Sequence, residues 1–186
     1  MTVTRRTLLG LLAAPSPSGP HFYTTNPTEK RARLAAGYVD ETDASSSIFV
    51  FTRPLLHVGF ATVPLFRLYH PTTHAQLFAT SAPEAARAVR DLGFRDETRL
   101  DSPFVLPVPA GRPAPPGAVP LLVARHPGSG DHLYTTSPSE MTHATAHLGY
   151  EPVESGIRPH VLSGWAMAEG LIAVRLHRLR GPIVSA

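Results

Sequence analysis

The chain has 186 residues, 42% hydrophobic and 17% charged, enough to bury the core of one domain and too apolar for a disordered polyampholyte. Its net charge of +3 comes almost wholly from scattered arginines, Lys30 being the only lysine, so the clustered basic surface of a nucleic-acid binder is missing. The absence of cysteine excludes disulfides and thiolate metal sites, and 20 prolines with 14 glycines point to many short elements and turns.

Residues 1–18 carry two readings. Thr4-Arg5-Arg6-Thr7-Leu8-Leu9 has the form of a twin-arginine export motif, followed by an apolar run to Ala14 and the small-residue segment Pro15–Ser18. The run is too short to span a bilayer, so no membrane span is expected. On the other reading, Leu8 to Thr25 aligns without a gap to Val119 to Thr136, and the segment is the first strand of a repeat.

Three copies of one pattern follow. His21–Thr25, Gln76–Thr80 and His132–Thr136 are aromatic or β-branched and alternating, which predicts strands with two distinct faces. Each runs into a cap residue with a glutamate three positions on: Asn26 with Glu29, Ser81 with Glu84, Ser137 with Glu140. That spacing is a capping box, in which the cap side chain accepts a free helical N–H and the glutamate reaches back. Helices are predicted over roughly 27–36, 82–92 and 138–148, stopped by Gly37, Gly93 and Gly149. In the second, Ala85, Ala88, Val89 and Leu92 make an apolar stripe.

Leading strands precede the second and third copies at Val63–Tyr69 and Val119–Arg125, each joined through His-Pro and a turn to the core strand. A further apolar strand follows each helix, centred on Phe49–Phe51, Phe104–Leu106 and His160–Leu162. Val63, Val119 and Val174 recur at intervals of 56 and 55 residues, and Val174–Leu179 aligns with Val63–Leu68. The chain therefore ends on a surplus leading strand. If residues 1–18 are removed on export, this strand can pair with His21–Thr25 and cover an open edge. That arrangement is adopted as the expectation. The fold class is mainly β with three short helices (α+β): a pseudo-threefold repeat domain, β-trefoil-like or a compact closed ring. It comprises an export-signal-like segment at 1–18 and one domain over 19–180. Its units lie near 19–58, 59–114 and 115–163, with a closing strand at 171–180.

The order Leu65-Phe-Arg-Leu-Tyr-His-Pro71, then Gly130-Asp-His-Leu-Tyr-Thr-Thr136, then Leu148-Gly149-Tyr150 resembles a known repeat domain of unassigned activity. That family is marked by Leu-Tyr-Arg-Leu-Tyr-Asn-Pro and Gly-Asp-His-Phe-Tyr-Thr-Thr, and the likeness covers about residues 19 to 163. The resemblance implies a secreted threefold module of the kind appended to extracellular hydrolases. Copy two departs from the motif with His74-Ala75-Gln76, and copy one has Pro20 for the aspartate.

Catalytic motifs are missing. His143 and His147 have the spacing of helical zinc ligands without the protease glutamate, and they lie off the stripe of Met141, Ala144 and Leu148. No nucleophile elbow and no phosphate-cradling loop occurs, so neither a cofactor nor a metal is expected. The repeated glutamates are explained by capping. The candidate ligand-binding residues are His126, Asp131, His132 and Tyr134, which gather a carboxylate, two imidazoles and an aromatic near one turn. Such a group suits a sugar ring. The expected function is a non-catalytic extracellular binding module for a glycan or cell-surface polymer. The alternative is a small secreted hydrolase with its site in one divergent repeat. Location outside the cytoplasm depends on the twin-arginine-like segment being a signal, and the sequence does not set the oligomeric state.

Overall fold

The computed structural model describes residues 19–42, 48–54, 56–57, 60–99, 102–109, 111–153, 157–162 and 173–182. The two readings of residues 1–18 fall outside the described residues. The described residues are mainly β with three helices. In order, it forms β1 (His21–Thr24), α1 (Pro27–Ala35), β2 (Val39–Asp40), β3 (Ile48–Phe51), β4 (Leu56–His57), β5 (Phe60–Ala61), β6 (Val63–Pro64) and β7 (Phe66–Tyr69). There follow β8 (Gln76–Ala79), α2 (Ala82–Leu92), β9 (Arg95–Asp96), β10 (Phe104–Pro109), β11 (Ala118–Pro120) and β12 (Leu122–Arg125). The last elements are β13 (His132–Thr135), α3 (Pro138–His147), β14 (Glu151–Pro152), β15 (Ile157–Leu162) and β16 (Ala173–Arg180).

The helices start where their caps place them. Asn26 accepts from the N–H groups of Thr28 and Glu29, Ser81 from Glu84, and Ser137 from Glu140. The reciprocal half of the capping box, a glutamate accepting the N–H of its own cap residue, is made in none of the three described helices. In α1 and α3 the N–H of Asn26 and of Ser137 donates instead to Thr24 Oγ1 and Thr135 Oγ1, at 2.9 and 3.0 Å. Ala79 has no such oxygen, and Glu84 takes up the N–H of Thr80 at 3.0 Å. The glutamates of α1 and α3 are thereby free for other partners. Gly93, with φ +75°, caps α2 in the left-handed region that side chains resist.

The helices contribute less to the core than their stripes suggest. On α2, Ala85 and Ala88 are buried, but Val89 and Leu92 are 40% and 57% exposed. α1 buries nothing, and α3 buries only Ala144. These helices lie as covers on strands, and the strands carry the packing.

Every strand pairing among the described residues is antiparallel. One arrangement of leading strand, core strand, helix and short strand occurs in three places, called here the first, second and third units. The second is β7, β8, α2 and β9; the third is β12, β13, α3 and β14. The first is assembled from the two ends of the described chain, with β16 leading, followed by β1, α1 and β2. The expected pairing of the C-terminal strand with the strand at 21–24 is present, His21 lying opposite Arg180 and Thr24 opposite His177. β3, β10 and β15 lie beneath and each pairs with both of the others. The sheet path as a whole is open, running β1-β16-β3-β10-β15-β11, so the compact closed ring expected from the sequence is not formed. Among the described residues β11 pairs on one side only, because β12 turns away to its own hairpin after Leu121.

At the centre three rings from the three core strands meet edge to face. Tyr23 and Phe78 lie 6.1 Å apart, and Tyr134 lies 5.2 Å from each. Ile48, Val50, Leu65, Val105, Leu121, Val161 and Leu176 complete this core. Each fully buried side chain of this size contributes roughly 2 kcal/mol, and the tilted ring geometry adds to it.

The polar groups among the rings are paired in sequence. Tyr134 N–H donates to Tyr23 Oη at 2.9 Å, and Phe78 N–H to Tyr134 Oη at 2.8 Å. Phe78 has no hydroxyl to offer Tyr23. Gln76 supplies the missing acceptor, its Oε1 taking Tyr23 N–H at 2.6 Å while its Nε2 donates to Tyr23 O at 3.1 Å. A buried N–H left alone would cost about 1–3 kcal/mol, which accounts for glutamine and phenylalanine occurring together in one strand.

Candidate functional site

All four residues chosen from the sequence are buried: His126 and Tyr134 at 2%, Asp131 at 2%, and His132 at 6% exposure. Asp131 Oδ1 accepts His21 N–H at 2.8 Å. Its Oδ2 accepts from His21 Nδ1 at 2.7 Å and from the Tyr150 hydroxyl at 2.6 Å. The carboxylate thus clamps the third unit to the first. Burial alone would raise its pKa, but hydrogen bonds from His21 and Tyr150 outweigh this and hold it below the usual range.

His126 secures its own turn, accepting Ser129 N–H at 3.1 Å with its ring edge-on to Tyr150. His70 does the same in the second unit with Thr73 and Phe94. Tyr134 has its ring enclosed by the other two core rings and its hydroxyl paired to backbone, so it has no face on which a sugar could stack. His143 and His147 lie exposed on α3. No group of three or more metal-ligating side chains occurs among the described residues.

The position that distinguishes the units lies one strand away. Arg178 sits opposite Tyr23, Arg67 opposite Phe78, and Val123 opposite Tyr134, the same register position in three antiparallel strand pairs. Arg67 reaches across the seam to the first unit, its two terminal nitrogens meeting Glu29 Oε2 and Oε1 at 2.7 and 2.6 Å. Glu97 also meets it, at 3.2 Å. Arg178 crosses to the third unit likewise, reaching Glu140 at 2.7 Å with Glu41 at 3.4 Å. Burial pushes Glu29 and Glu140 upward, yet their arginine partners hold both below the ordinary carboxylate range. Glu41, beside His21 and Arg180, is lowered to about 2 despite its burial.

At the third seam both charges are replaced. Val123 stands in the arginine position, and Val153 stands where Glu41 and Glu97 stand elsewhere. The N–H of each of those three donates to the carbonyl of the residue facing its core ring, at 3.0 Å to Arg178, 2.8 Å to Arg67 and 2.9 Å to Val123. Glu84 keeps the helix position of Glu29 and Glu140 but forms no salt bridge among the described residues. Where the guanidinium is missing, a groove of about 270 Å³ opens between the second and third units. Leu77, Leu122, Val123, Met141 and Val153 wall it, Glu84 and Thr80 lie at one side, and His132 and Tyr134 also line it.

His132 is a buried polar residue on this lining. Burial depresses its pKa to about 4, opposed by Asp131 and assisted by Arg125. It is therefore neutral at neutral pH, and its buried Nδ1 has no hydrogen-bond partner. Of the four residues picked from the sequence, two line this groove and two support the turn and clamp behind it. Glu84, Val123 and Val153 were missed. Their signal was present in the alignment of Arg67 with Arg178, at the register position where the third copy has valine.

No curated protein and no solved structure matches the chain. A family described as a domain of unknown function, DUF5648, matches residues 13–162. That match takes in all three helices and every strand except β16, and by it the chain belongs to the DUF5648 family.

Proposed function

We propose that this domain is a pseudo-threefold, non-catalytic binding module acting outside the cytoplasm, and that its ligand lodges in the groove between the second and third units. The reading rests on one observation. Of three seams built on the same register, two carry an arginine–glutamate cluster, one of them keeping only a small cavity of about 40 Å³ beside Arg67, while the third carries valines and opens to about 270 Å³. A pocket that is apolar with a few polar groups at its edge is the usual form of a binding site. The twin-arginine-like residues 4–9 favour export and a ligand at the cell surface. The enclosed Tyr134 ring removes the stacking face on which the glycan reading leaned, so the groove's own chemistry sets the ligand.

A secreted hydrolase is the second reading, favoured by the occurrence of one carboxylate and one imidazole, Glu84 and His132, in a single groove. It is the weaker one. Glu84 is engaged with Thr80 N–H, His132 Nδ1 touches no partner, and no nucleophile–base contact links them.

Titration of the protein and its Val123→Arg variant against a panel of neutral glycans, acidic glycans and short peptides tests the proposal. Binding present in the parent and lost in the variant supports the groove; binding indifferent to the substitution places the site elsewhere. Hydrolysis of any panel member, abolished by both Glu84→Gln and His132→Gln, would establish the enzyme instead.

A further inference from the structure

We propose that the groove receives the side chain of an arginine carried by a partner polypeptide, an inference that rests on reading the groove as the binding site. The chain itself supplies the template. In two seams an arginine lies beside the core ring, and its guanidinium meets the glutamate at the third position of the neighbouring helix. The Arg67 pair is two-pronged, which a planar guanidinium achieves and an ammonium does not. In the third seam the glutamate, Glu84, is retained and the arginine is gone. One Glu84 oxygen accepts Thr80 N–H at 3.0 Å, and no described contact occupies the other.

The remaining lining fits the same occupant. Leu122, Val123, Met141 and Val153 offer an apolar wall for the three methylenes of an arginine stem, whose head stays with the carboxylate. Val153 is 47% exposed, leaving the mouth of the groove accessible. His132 Nδ1, buried and without a partner, is an unused acceptor on the same lining, and a guanidinium carries five donors. Glu84 brings a negative charge, His132 Nδ1 accepts when the ring proton is on Nε2, and the Thr80 hydroxyl can accept as well as donate, so a donor-rich cation complements this lining better than an anion. A pair with exposed Glu84 contributes little alone, and the apolar wall is what makes the contact specific.

The test is ¹H–¹⁵N shift mapping of the whole protein with three capped tripeptides, glycine-arginine-glycine and its lysine and citrulline counterparts. Citrulline keeps the shape of arginine without its charge. The arginine peptide is expected to shift the amides of Glu84, Val123, His132 and Val153 and to bind about tenfold more tightly than the citrulline peptide. Val123→Arg, which fills the seam from within, and Glu84→Gln, which keeps a capping side chain, should each weaken it by at least about fivefold. Equal binding of arginine and citrulline peptides overturns the inference, as does shifting of residues away from the groove. If glycans move the groove amides and the arginine peptide does not, the arginine assignment falls and the groove survives. If no peptide or glycan moves them, both fall.

Discussion

Asp131 holds His21 by both its backbone N–H and its imidazole, at 2.8 and 2.7 Å, although 110 residues separate them in the chain. The aspartate of the Gly-Asp-His motif is thus a structural clamp between units. Removing it takes this acceptor from the buried His21 imidazole and the His21 N–H. Asp131→Ala should cost about 3 kcal/mol or more in urea denaturation. A loss below about 1 kcal/mol would contradict the clamp. The second unit, with Ala75 in this place and Phe94 in that of Tyr150, suggests a partial remedy. Adding Tyr150→Phe to Asp131→Ala should cost less than the two changes separately.

The core predicts a rescue by transplant. Tyr134→Phe strands the N–H of Phe78 and should cost about 1–2 kcal/mol. Gln76 already solves the same problem for Tyr23. His132→Gln places glutamine at the corresponding position of the next core strand, so the double variant should recover most of the loss. A double-mutant cycle with no coupling would show that the two strands do not correspond at this position.

Acid sensitivity should have an identifiable source. His132 stays neutral in the fold down to about pH 4, whereas an unfolded imidazole takes up its proton near 6.5. The unfolded chain therefore binds the extra proton first, and stability falls as pH drops from 6.5 towards 4, by about 3 kcal/mol at most. Half-buried His177 shifts the same way and adds a smaller slope. The depressed Glu41 acts in a lower window, its stabilisation being lost from about 4.5 down to about 2. His132→Gln should remove the larger part of the drop in Tm between pH 6.5 and 4 while leaving the lower window intact. An unchanged slope would assign the effect elsewhere.

Much of this fold was legible in the sequence for local reasons. Caps at Asn26, Ser81 and Ser137 and the left-handed Gly37, Gly93 and Gly149 set three helices to within a residue or two. Alternation gave the strands, and the alignment of Val174–Leu179 with Val63–Leu68 foretold the pairing of β16 with β1. Burial of the turn residues was not legible. Alternation separates the two faces of His132–Thr135 but does not say that a neighbouring unit covers the face carrying His132 and Tyr134. Nor could periodicity show that Val89 and Leu92 remain in solvent, since a stripe is buried only where a partner surface is wide enough. The groove was hardest to see, because it arises from a missing arginine and carries no motif of its own.

The most direct test of this account is a double-mutant cycle on Val123→Arg and Glu84→Gln, read by chemical denaturation. If the third seam is an emptied counterpart of the other two, an arginine at 123 should find Glu84 as Arg67 finds Glu29. Val123→Arg is then predicted to be neutral or stabilising in the parent and destabilising beside Glu84→Gln, with a coupling of about 1 kcal/mol or more. A coupling near zero, with Val123→Arg equally destabilising in both backgrounds, would contradict it.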